Sequence, residues 1–132
     1  MRMDDPKAVL DSFAWFEYFC GSGKGMSIKE TVESGGSVTP SIVVAELTEK
    51  YRRIGKDFAK NLAFIRLKSN IIALDEEIAR AAGEINFERK KKVRNWGMAD
   101  SIILATARSV NGIVITGDEH FKDLKSEVRM LK

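Results

Sequence analysis

Apolar positions along the chain follow two rhythms. Short unbroken runs such as Ala8 to Leu10 and Ile113 to Ile115 are too brief for helices and read as strands buried on both faces of a parallel sheet. Strand candidates are Lys7 to Leu10, Ser37 to Thr39, Asn70 to Leu74, Ile113 to Thr116 and, as a last edge strand, Val128 to Leu131. Between them the spacing changes to threes and fours. Leu47, Tyr51, Ile54, Phe58, Leu62 and Ile65 form one helical stripe, which Gly55 divides into two helices. Met98 to Val110 is apolar on nearly all sides, predicting a helix packed deep against the sheet and stopped by Asn111-Gly112.

Polar punctuation marks the ends of these segments. Ser12 is a cap for an aromatic-rich helix through Phe13, Trp15, Phe16 and Phe19, which Gly21 to Gly25 breaks. Ser27 and Glu30 have the spacing of a capping box, opening a short helix that ends at Gly35-Gly36. Thr39 is a cap with Pro40 at the first helical position. Asp75 caps a further helix, with Glu76 and Glu77 in its first turn and Lys90 to Lys92 towards its end. A short helical turn is expected near Phe121 and Leu124. Alternating strands and helices imply an α/β fold with a central, mainly parallel sheet flanked by helices.

Composition narrows the class. The 132 residues, 44% hydrophobic and 31% charged with two prolines, suit one compact domain able to bury a core without disulfides or structural zinc. A lone Cys20 makes no intrachain bridge, and one histidine rules against a His/Cys zinc cluster, so a reducing cytoplasmic setting is expected. No run approaches the roughly 20 apolar residues of a membrane span, and the acids in MRMDDPKAVLD exclude a signal peptide there. The net charge of +3 is small. If several acids converge, however, the remaining surface is more basic than the total suggests, favouring an anionic partner.

Four acids interrupt or close the apolar segments: Asp11, Glu46, Asp100 and Asp118. Singly, each has an ordinary explanation: Asp11 and Asp100 as helix caps, Glu46 on a solvated face, Asp118 in a turn. Together on apolar segments they call for a shared cause. Asp11 and Asp118 follow strands, and the carboxyl ends of parallel strands at a switch in strand order are where such sheets bind ligands. Carboxylates brought that close repel by roughly 4 kcal/mol per pair at an effective dielectric near 20, a conflict that a divalent cation removes. Oxygen ligands with no histidine or thiolate nearby select magnesium or manganese, and a water on such an ion can attack a phosphodiester in line.

Other features carry less. GSGKG fails the P-loop pattern, because Tyr18 stands at the first glycine position and Gly25 follows Lys24; a flexible loop beside the groove is expected, with Lys24 near a substrate phosphate. Phe13, where haloacid-dehalogenase-like phosphatases need a second aspartate, excludes that class. Lys50, Arg52, Arg53, Lys56 and Lys60 follow Glu46, and Lys90, Lys91, Lys92 and Arg94 precede Asp100. Both groups are placed to flank an acidic groove and touch RNA phosphates, or to be ordinary solvated helix faces. His120 reads as a surface residue, placed to contact RNA but without a role in the metal chemistry. Trp15, Phe16, Tyr18 and Phe19 are expected mostly against the sheet with some at an interface, and Trp96 fits either setting.

Four pieces in order, VLDSFAWFEYF with its following GSGKG, SIVVAELTEKY, MADSIILATA and VITGDEHF, resemble the PIN-domain ribonucleases, and within them the VapC-like toxins of toxin-antitoxin pairs. The resemblance covers nearly the whole chain. It implies a three-layer PIN-like α/β domain, endoribonuclease activity with Mg2+ or Mn2+, frequent homodimers and a small antitoxin covering the acidic groove. Asp11 and Asp100 become the principal metal ligands, with Glu46 and Asp118 coordinating directly or through water and Ser12 and Thr116 supporting them. From the charge clusters and the GSGKG loop, Arg53, Lys91, Lys92 and Lys24 are the candidate RNA contacts, and the resemblance makes Glu84 and Glu119 candidate additional acids. A housekeeping PIN nuclease, or an RNA-binding module without turnover, remains an alternative; the intact acids argue against the latter.

Overall fold

The structure is a computed structural model and describes residues 6–132. Five parallel strands form one sheet: β1 (Lys7–Leu10), β2 (Ser37–Pro40), β3 (Ser69–Ile72), β4 (Gly112–Thr116) and β5 (Val128–Met130), in the order β3-β2-β1-β4-β5. Helices cover it: α1 (Ser12–Cys20), α2 (Gly23–Met26), α3 (Lys29–Glu33), α4 (Ser41–Arg53), α5 (Ala59–Lys68), α6 (Glu76–Arg89) and α7 (Met98–Ser109). This is the three-layer α/β architecture expected. Val9, Leu10, Val114 and Ile115 of the two central strands are buried, as parallel strands covered on both faces require. The chain leaves β1 for β2 and β3 on one side, then returns to place β4 on the other. The switch point therefore lies between the carboxyl ends of β1 and β4.

Several boundaries differ from expectation. Asp11, not Ser12, caps α1: its Oδ1 accepts from Ala14 N at 2.8 Å, and Ser12 is the first helical residue. Gly21 to Gly25 is more than a break. Gly21, at φ 68°, ends α1, but Ser22 then caps the single turn of α2, so GSGKG is part of a helical corner rather than a flexible loop. Gly25 allows that corner to close, since a Cβ there would lie 2.0 Å from the Glu17 carbonyl oxygen. The Ser27–Glu30 capping box does not form; the Ser27 hydroxyl donates to Lys24 O, and α3 starts without a side-chain cap.

Thr39 likewise is not a cap. It is a fully buried β2 residue whose Oγ1 accepts from Trp15 Nε1 at 3.0 Å and lies 2.6 Å from Ser69 Oγ. The buried indole needs that acceptor, and Pro40, extended at ψ 140°, takes the cap position instead. β3 begins one residue earlier than expected and stops at Ile72, leaving Leu74 exposed. Gly55 does divide the helical stripe, at φ 76°, although Ile54 beside it is exposed. Asp75 caps α6 and Asn111, at φ 56°, follows α7, both as expected. Trp15 is buried, with Phe19 stacked on it and Phe64 at its edge, and Trp96 is a core residue bonded to Ser101 Oγ. No helix among the described residues is long and apolar enough to cross a membrane.

Candidate active site

The fold gathers Asp11, Glu46, Asp100 and Asp118 around one cleft of about 220 Å³, with Ser12, Lys50 and Arg53 also in its wall. Each acid is placed by a different element. Asp11 leaves the end of β1 and is held by its cap bond to α1. Asp118 lies two residues beyond β4; its amide donates to Thr116 Oγ1 at 2.9 Å, and its Oδ1 accepts from His120 N at 2.9 Å. Asp100 stands in the first turn of α7, where its Oδ2 accepts from Gly97 N at 3.1 Å. Glu46 reaches in from α4.

Crowding and burial make this a costly place for negative charge. Burial, chiefly, pushes the Asp11 carboxyl up to about 7; hydrogen bonds from Thr116 and Ala14 oppose the rise, and the charges of Glu46 and Asp118 add to it. Burial also raises Glu46, which Ser12 partly offsets while Asp100 and Asp118 add to the rise. Asp100 is raised by burial too, against the Gly97 amide and His120. Glu46 Oε1 is buried without a hydrogen-bond partner among the described residues. A buried carboxylate oxygen left in that state, facing other carboxylates, fits a hard divalent cation as its missing partner.

His120 is the residue that sequence reasoning placed wrongly. It is not a detached surface side chain: Nδ1 lies 3.2 Å from Asp100 Oδ2 and 3.3 Å from Asp118 Oδ1. Its position two residues after Asp118, at a tight turn, is the signal that could have found it. Arg89 was also missed. This buried guanidinium at the end of α6 makes a two-pronged bond to Asp123, at 2.8 and 2.9 Å, and donates to His120 O at 3.0 Å, so it ties down the turn that follows Asp118.

The remaining candidates divide. Ser12 and Thr116 lie beside the acids, and Arg53 lines the cleft. Lys24, Lys91 and Lys92 are exposed and outside its lining; Lys24 sits 5.6 Å from the Phe13 ring centre and Lys91 is 4.1 Å from that of Phe87. Glu84 is exposed on α6, and exposed Glu119 is 3.6 Å from Lys122; neither lines the cleft.

Comparison with solved structures finds the same fold. A toxin-antitoxin complex from Klebsiella pneumoniae contains a chain 21% identical to this one with a TM-score of 0.76, the match covering 94% of this chain and 97% of that one. VapBC2 from Rickettsia felis, bound to a DNA fragment from its promoter, matches at 18% identity and a TM-score of 0.71, covering 95% and 98%. VapBC-1 from nontypeable Haemophilus influenzae matches at 22% identity and a TM-score of 0.68, covering 93% and 96%. A search of curated proteins finds no match. The PIN domain family model matches residues 8–127, a stretch that contains all four strand-end and helix-borne acids, and the chain therefore belongs to the PIN domain family.

Proposed function

We propose that this protein is a divalent-metal-dependent endoribonuclease and the toxin of a toxin-antitoxin pair. The observation that carries the reading is the convergence of Asp11, Glu46, Asp100 and Asp118 on one cleft at the switch point of a PIN domain. Asp11 and Asp100 hold the cation, Mg2+ or Mn2+, with Glu46 and Asp118 completing its surroundings directly or through water. Ser12 and Thr116 orient the carboxylates beside them. When bound, such an ion supplies an activated water and offsets charge on the phosphodiester oxygens. Lys50 and Arg53, at the cleft wall, attract and align the RNA backbone, with Lys24, Lys91 and Lys92 as outlying phosphate contacts. Cleavage leaves 5′ phosphate and 3′ hydroxyl ends.

The toxin assignment draws support from the neighbours, one a toxin-antitoxin complex and two VapBC structures. By that analogy the partner is a small antitoxin covering the acidic cleft, the protein acts in the cytoplasm, and it works as a homodimer. The test compares RNA cleavage by wild type, Asp11→Asn and Asp100→Asn, with and without Mg2+ or Mn2+. Each variant is expected to lose about 100-fold or more of the rate, as loss of one charge-stabilising group does. Variants that cut as fast as wild type would refute the active site. Growth arrest on expression, relieved by co-expressing a small protein if one is encoded beside this chain, tests the toxin role separately; a housekeeping nuclease would cause none.

A further inference from the structure

The geometry points to His120 as a nitrogen ligand of the proposed cation, beside Asp100 and Asp118, giving the site a preference for manganese over magnesium. This narrows the metal-dependent reading above and rests on it. One donor atom from each of the three residues lies within 4.8 Å of the others. Neighbouring ligands of an octahedral ion at about 2.1 Å are about 3 Å apart. The separations of His120 Nδ1 from Asp100 Oδ2, 3.2 Å, and from Asp118 Oδ1, 3.3 Å, are close to that edge. Nδ1 is hydrogen-bonded to Asp100 Oδ2; an ion would take the place of the proton in that bond, with the ring proton on Nε2 and the Nδ1 lone pair turned to the metal.

The imidazole is presented by a braced turn. Its own amide donates to Asp118 Oδ1, and its carbonyl accepts from Arg89. The next residue, Phe121, is buried with its ring 5.0 Å from that of Trp96, and the Arg89 guanidinium lies 4.2 Å over the same indole. The ring therefore stands beside Asp100 and Asp118, just outside the cleft lining, on a fixed backbone, as a ligand must if binding is not to spend free energy on ordering it. A nitrogen donor changes the choice of ion. Mg2+ takes oxygen and keeps its waters, whereas imidazole suits first-row transition ions, and the surrounding carboxylates keep Mn2+ among them.

Tag-free wild type, His120→Ala and Asp100→Asn are titrated with Mn2+ and, separately, Mg2+ by calorimetry without RNA, and the spin echo of bound Mn2+ is recorded for nitrogen modulation. Wild type is expected to show nitrogen coupling. His120→Ala should lose it, with Mn2+ affinity falling about tenfold or more while Mg2+ affinity changes less than about threefold. The echo from wild type decides the matter even if the variant fails to fold. Mn2+ that binds wild type, is lost in Asp100→Asn, yet shows no nitrogen coupling and the same Mn2+ to Mg2+ ratio in His120→Ala would remove the ligand and leave the metal centre standing. Absence of Mn2+ binding to wild type would overturn both.

Discussion

Asp11 shows how a single carboxyl can link protonation to stability. Its folded value of about 7 lies above its ordinary 3.8, so between those values the native chain binds more protons than the unfolded one, and stability falls as pH rises. Glu46 and Asp100, raised in the same direction, steepen the fall. Asp123 and Glu127, held low by Arg89 and Arg108, lose their contribution only at more acid pH. In chelator, melting temperature should drop by about 5 °C or more from about pH 5 to about pH 8, and Asp11→Asn should flatten the profile. Added Mn2+ should restore stability most at the alkaline end, because the ion competes with protons for the same oxygens. A melting temperature that climbs across this range in chelator would contradict the burial of Asp11. The four acids were legible because each closes or interrupts an apolar segment. His120 was not, since a lone histidine in a polar turn carries no periodicity, and Arg89 reads like any basic residue at a helix end.

At the scale of elements, glycines that look alike in sequence make different demands. Gly25→Ala would drive a Cβ into the Glu17 carbonyl and should destabilise by about 1–3 kcal/mol, because backbone cannot give way as a flexible side chain can. Gly21→Ala meets no atom within 4 Å and strains only a left-handed residue, about 1 kcal/mol. Denaturant melts that rank the two in the opposite order would contradict the tight α1–α2 corner. Strands and long helices were readable from periodicity alone. The single turn α2 and three of the caps were not: Thr39 is claimed by the distant Trp15 indole, Ser27 by the Lys24 carbonyl three residues back, and the Ala14 amide by Asp11 rather than Ser12. Asp75 kept its expected role since nothing distant competes for it.

For the whole molecule, charge is segregated rather than merely balanced. Four clustered acids share the lining of one cleft with Lys50 and Arg53, so a net charge of +3 conceals a local pattern suited to a cation among the acids and an anionic partner beside the bases. Affinity for single-stranded RNA should fall with salt at a log–log slope of about −0.7 per phosphate contacted. Lys50→Ala with Arg53→Ala should flatten that slope by about 1.4. A slope unchanged by the pair would place the RNA elsewhere. The alternation that reveals a parallel sheet also reveals where its ligands go, but not which lysines reach them: Lys91 and Lys92 share a charge run with no share of the cleft wall.

The cleft joins the end of β1 to a residue just past β4, with α4 and α7 contributed from between. A nascent chain on the ribosome thus carries only part of the acid cluster until Asp118 has left the exit tunnel.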